Sequence, residues 1–134
     1  MSVLRAVTRL LIPAGVVVGA VVGIIQRQGN TTVFATDEER MAIVRDLYHG
    51  PNVPQLIVVK ADWCTACKYL EGQLLKLNLP YIEADIDKSP AARKLQRRLS
   101  EQGQITIPQL IYKRRRVLQK EIAAVLQELA DEAR

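Results

Sequence analysis

Aromatic residues are scarce in this 134-residue chain: one Trp, one Phe and four Tyr. There is one histidine, His49, and there are two cysteines. Two cysteines exclude a disulfide-rich scaffold and a self-contained four-cysteine zinc site. Acidic residues are missing altogether from positions 1–35. Internal repeats and low-complexity stretches are absent as well. An apolar fraction of 49% against 25% charged residues excludes wholesale disorder. The length fits one modest domain, or one domain with an appendage.

What is there is unevenly spread. The net charge of +5 divides into +3 from Arg5, Arg9 and Arg27 and only +2 from residues 36–134. Inside that second part, residues 88–120 are strongly basic, while 36–87 and 121–134 are acidic. A nearly neutral, polarised domain is therefore expected behind a basic, apolar leader.

Leu10 to Ile25 carries no charge, and Gly15, Gly19 and Gly23 recur at every fourth position. Arg9 and Arg27 bracket 17 residues, which as a helix span roughly 25 Å against a hydrocarbon core of about 30 Å. Snorkelling arginines make up the difference. Residues 10–25 are thus expected to be a transmembrane anchor, and 1–30 an anchor with a short linker ahead of a domain at 31–134. The alternative is a signal peptide cleaved after Ala20 or Ala35 and release to the periplasm. Arg5 and Arg9 favour a cytoplasmic N-terminus, with the domain outside the cytoplasm.

Along the domain the pattern alternates between periods. Thr31 to Ala35 is expected to be a first strand, and Thr36 with Glu39 a capping box opening a helix that carries Met41, Val44, Leu47 and Tyr48 inward. Leu56 to Val59 reads as a strand buried on both faces. A helix from about Cys64 to Leu77 follows, then a strand from Tyr81 to Ile86. Ser89-Pro90 caps a helix running to about Gln102 and stopping at Gly103. Gln109 to Tyr112 and Arg116 to Gln119 are expected to form a hairpin turning at Arg114-Arg115. A last helix starts near Lys120. This order predicts an α/β sheet with helices on both faces.

The chemistry sits in Ala61-Asp62-Trp63-Cys64-Thr65-Ala66-Cys67-Lys68, between the buried strand and a helix. Cysteines three apart at a helix start can close a small-loop disulfide. The first sulfur faces unsatisfied N–H groups that favour its thiolate. Cys64 is the nucleophile candidate and Cys67 the resolving thiol. The spacing alone is shared with an inert structural disulfide and with half of a metal site completed by a second chain. Strand, Trp and helix around it favour the redox pair.

Those residues resemble the active-site motif of thioredoxin-fold proteins, over roughly 31–134. The wording Ala-Asp-Trp-Cys-x-Ala-Cys-Lys is especially similar to the periplasmic thioredoxin-like domain of DsbD-type reductases. The resemblance implies a thioredoxin-like fold and a cis bond before Pro108 in Thr106-Ile107-Pro108. It further implies a substrate groove formed by Trp63, Thr65, Ala66, Ile107 and Pro108, and no organic cofactor beyond the redox-active disulfide. Leu79-Pro80-Tyr81, Asp85-Ile86-Asp87 and Ile105 to Pro108 are also similar to glutaredoxins, but the Gly-Gly-acid that binds glutathione in that family is missing. Missing too is the buried acid that thioredoxins carry six residues before the first cysteine; Val58 stands there.

The implied partners are protein disulfides or dithiols and a redox partner that supplies or accepts electrons, with reductant or exchanger favoured over oxidant. A redox-inactive interaction or assembly module at the membrane is the alternative. Arg93, Lys94, Arg97 and Arg98 fall on one helix face, and Lys113 to Arg116 mark the hairpin turn. Only Tyr112 lies among these bases, so nucleic acid is not expected as a partner. Arg114, Arg115 and Arg116 are instead candidates for contact with anionic lipid headgroups.

Overall fold

In a computed structural model, which describes residues 32–100 and 103–134, the apolar run Leu56 to Val59 with Lys60 at its end is strand β1 (Leu56–Lys60) and lies inside a four-stranded sheet. Every residue of β1 is buried, as its unbroken apolar pattern requires. Strand β2 (Tyr81–Asp85) pairs parallel to it on one side, and β3 (Gln109–Tyr112) antiparallel on the other. Strand β4 (Arg115–Val117) completes the edge, antiparallel to β3.

Among the described residues, four helices cover the sheet: α1 (Asp37–Leu47), α2 (Thr65–Lys76), α3 (Pro90–Leu99) and α4 (Ile122–Glu132). Successive strand residues point to opposite faces, and the core is accordingly double. Ile57, Val59 and Ile111 meet Val44 of α1 and Leu95 of α3 on one face. Leu56, Val58 and Leu110 meet Leu70 and Leu74 of α2 and Leu126 of α4 on the other. This mixed sheet with helices on both faces is consistent with a thioredoxin-like fold.

The helix starts follow their caps. Thr36 Oγ1 accepts from the Glu39 N–H at 3.2 Å, and Glu39 reaches back to the Ala35 N–H at 2.7 Å. Ser89 Oγ accepts from the Ala92 N–H at 3.2 Å, with Pro90 in the first turn.

Four expectations are corrected. Residues 32–35 form no strand. Thr32 makes one antiparallel bridge to Arg115, and the Val33 and Phe34 N–H groups both turn to the Arg114 carbonyl, at 2.9 and 3.3 Å. With α1 capped at Thr36, too few residues remain to run along an edge, although Val33 and Phe34 are buried. The hairpin turns at Lys113-Arg114, one residue early, because Tyr112 pairs with Arg115; Lys113 takes the left-handed φ of 55°. Helix α3 stops at Leu99, because Ser100 turns to the extended ψ of 129°; its N–H makes the last helical bond to the Gln96 carbonyl, which also accepts from its hydroxyl at 2.9 Å. Finally, α4 is preceded by a 3-10 turn, Gln119–Glu121, in which the Glu121 carboxylate accepts from the Leu118 N–H.

No helix among the described residues is long and apolar enough to cross a membrane. The expected anchor at residues 10–25, its linker and the two cleavage points at Ala20 and Ala35 divide differently. Ala35 is described, whereas residues 10–25 and Ala20 lie outside the described residues.

Candidate active site

Strand β1 ends at Lys60, and Ala61-Asp62-Trp63 carries the chain over the sheet's end into α2. Cys64 is the N-cap of that helix. The Cys67 N–H donates to Cys64 Sγ at 3.1 Å, and the Cys64 N–H is spent on the Ala61 carbonyl at 3.1 Å. The first sulfur thus occupies the place where a helix gathers partial positive charge, and the first turn holds no acidic residue to cancel it. Cys64 and Cys67 are joined as a disulfide with Cα atoms 5.2 Å apart. Cys64 keeps 7% exposure and Cys67 has none, so of the two residues only Cys64 meets solvent.

The other residues singled out from the sequence gather around this pair. Thr65 and Ala66 are exposed in the first turn. The Ile107–Pro108 bond is cis, and Ile107 packs on the core layer that contains both cysteines. Thr65, Ala66 and Pro108 open together onto one cavity of about 820 Å³ that continues between α2 and α4. Trp63 is 64% exposed beside the disulfide, and its Nε1 donates to Asp87 Oδ2 at 2.8 Å. Its ring therefore stands as a fixed wall.

Sequence reasoning missed the charged network on the same end. Lys60 is buried, yet its Nζ lies 2.7 Å from Glu83, 3.0 Å from Glu71 and 3.4 Å from Asp62. Burial works against its charge, but the hydrogen bonds it donates to Glu83 and Glu71 outweigh that cost and hold the ammonium above its ordinary pKa. Glu71 is four residues beyond Cys67, hence on the same side of α2, and it also accepts from the Tyr81 hydroxyl at 3.2 Å. The available signals were a lysine ending an apolar run and a glutamate at i+4 from the second cysteine.

Asp62 is not a free loop carboxylate. Its hydrogen bond with Lys88 at 2.6 Å, and then Lys60, hold its carboxyl below the usual range, so it stays ionised and is a poor proton acceptor. Carboxylate oxygens of Asp62, Glu83 and Asp85 approach within 4.8 Å of one another. Each of the three is already paired with the ammonium of Lys60 or Lys88, Lys88 lying 3.4 Å from Asp85. Val58 is wholly buried in the apolar layer with Leu70 and Leu74, so no proton acceptor occupies that place.

A family model described as Glutaredoxin matches residues 56–117. The matched stretch begins with β1 and ends with β4, and it contains the cysteine pair and the cis-proline. No curated protein and no solved structure matches the chain. Together with the joined cysteines, the family match supports thiol–disulfide oxidoreductase chemistry in general.

The basic residues are more occupied than a solvated face would be. Arg114 donates to the Ala35 carbonyl at 2.6 Å and lies 3.5 Å from Asp37, and Arg116 donates to the Leu99 carbonyl at 3.3 Å. On α3, Arg98 pairs with Glu39 and covers the Phe34 ring, while Arg93 donates to the Ile86 carbonyl at 3.2 Å.

Proposed function

We propose that this chain exchanges disulfides with protein substrates, as a reductant or exchanger more than as an oxidant. The Cys64 thiolate attacks one sulfur of the substrate disulfide and expels the other as a thiolate. The Cys67 thiolate then attacks Cys64 Sγ in the mixed disulfide, forming the Cys64–Cys67 bond and expelling the second substrate thiolate. The substrate gains two electrons and takes up two protons, and the domain gives up two electrons. A dithiol redox partner resets the pair. Trp63, Thr65, Ala66, Ile107 and Pro108 shape the groove in which the substrate chain lies.

The observation that carries this reading is the asymmetry of the pair. Cys64 is solvent-touching at the helix start with the Cys67 N–H on its sulfur, and Cys67 is wholly buried behind it. In our reading residues 10–25 anchor the domain outside the cytoplasm, and Arg114, Arg115 and Arg116 lie toward anionic lipid. What supports this is the entry of the chain at Thr32 beside Arg115, at the end of the sheet away from Cys64.

Reduction of insulin by the full chain tests the reaction, with Cys64→Ser as control. The substituted protein is expected to lose the activity; activity left intact would overturn the proposal. No reduction by the unsubstituted chain would favour instead a redox-inactive binding module, the reading that the apolar surroundings of Val58 favour. The potential of the pair gives the direction. A value near that of thioredoxin (about −270 mV) fits a reductant, and one near about −120 mV contradicts it.

A further inference from the structure

The cavity that opens at Thr65, Ala66 and Pro108 does not end at the disulfide. It runs down the trough between α2 and α4, reaching Leu77 past the last residue of α2. Over its 12 residues, Thr65–Lys76, the helix rises about 18 Å, the length of about five residues of extended chain. Its volume of about 820 Å³ lies within the range of sites that enclose a ligand.

Among the described residues no charged side chain lines this trough, although a quarter of the sequence is charged. Its polar members are neutral, and among them Gln73 and Gln119 make no side-chain hydrogen bond within the described residues. Tyr69, 72% exposed, lies along its α2 side. An uncharged floor with idle amides suits an apolar stretch whose backbone N–H and C=O groups are unpaired. A helical occupant would satisfy its own backbone and leave the amides unmatched. A free tripeptide thiol such as glutathione, charged at both ends, would place charge where nothing answers it.

We propose that this trough receives an extended, uncharged apolar segment of about five residues that flanks the reacting cysteine of a protein substrate. The proposal rests on the redox reading of the cysteine pair and names its substrate class. The mouth at Thr65 and Pro108 puts the substrate sulfur at Cys64, and the flank lies down the trough.

The test uses the full chain and three disulfides: a peptide with a Leu/Val/Ala flank, the same peptide with a Ser/Asn flank, and glutathione disulfide. The apolar peptide is expected to exchange about tenfold or more faster than the Ser/Asn peptide, the effect of burying about two methylene groups. Ala123→Arg, at an exposed position that lines the trough, should bring the ratio of the two peptides toward one. Gln127→Arg, one turn further along α4, should do the same and serves if the first variant fails to fold. Equal rates for the two peptides, a ratio untouched by both substitutions, or faster exchange with glutathione disulfide would each overturn the proposal while leaving the redox reading standing. No exchange with any of the three would overturn both.

Discussion

The two ends of the sheet handle charge in opposite ways. At the hairpin end, arginines are tied to backbone carbonyls. Arg40 donates to the carbonyls of Lys113 and Pro54, both at 2.9 Å, and Arg114 and Arg116 donate to those of Ala35 and Leu99. These groups staple α1, α3 and the incoming chain to the turn. At the cysteine end the charges pair with one another, Lys60 and Lys88 with four carboxylates, and the apolar side chains Trp63, Tyr69 and Ile105 are left in solvent. One end therefore spends its polar groups on holding the fold. The other leaves apolar surface open around a reactive bond, which is what a surface that receives another protein requires.

The largest expected effect on stability lies at the cysteine end. Lys60→Met leaves Glu71, whose side chain is 17% exposed, without its cation, and a loss of about 3 kcal/mol at neutral pH is expected in denaturant unfolding. The sign of the pH dependence follows. In the parent, the raised pKa of Lys60 contributes stability that is present below about 10.4 and is lost as the pH rises through its folded value. The deficit of the variant should therefore shrink as the pH rises above about 10.4. A loss that is independent of pH would mean that the network is packing and not charge.

A smaller effect is expected at the hairpin end. Arg40→Ala removes two hydrogen bonds from a buried cation and should lower stability by about 2 kcal/mol. Burial lowers the pKa of this guanidinium, but it remains charged across the ordinary range, so the loss should hardly change between pH 5 and 8. Equal pH dependence in the two variants would erase the contrast between the ends.

Much of this arrangement was legible in the sequence. The apolar run at Leu56, the caps at Thr36 and Ser89, and the cysteine spacing are local features, and each lies where local chemistry puts it. The failures came where the outcome is decided across the sheet. Val33 and Phe34 are β-formers by type, but the nearest acceptor is the Arg114 carbonyl and no strand edge. The turn moved to Lys113 because Tyr112 and Arg115 are register partners, which no local preference reveals. Lys60 looked like the charged end of a strand. Its role needs Glu71 and Glu83, which are distant in sequence and brought in by α2 and β2. The trough between α2 and α4 belongs to two helices separated by residues 77–121 and has no signature in either.

Trapping the mixed disulfide tests the division of labour between the two sulfurs most directly. Full-length Cys67→Ser, reduced and mixed with a disulfide-bonded protein substrate, should accumulate a covalent adduct whose linked residue, read by mass spectrometry of the digest, is Cys64. The reciprocal Cys64→Ser protein, whose remaining thiol is wholly buried, should accumulate almost none. Adducts of equal yield in the two proteins, or an adduct on Cys67 alone, would contradict the assignment of Cys64 as the attacking sulfur.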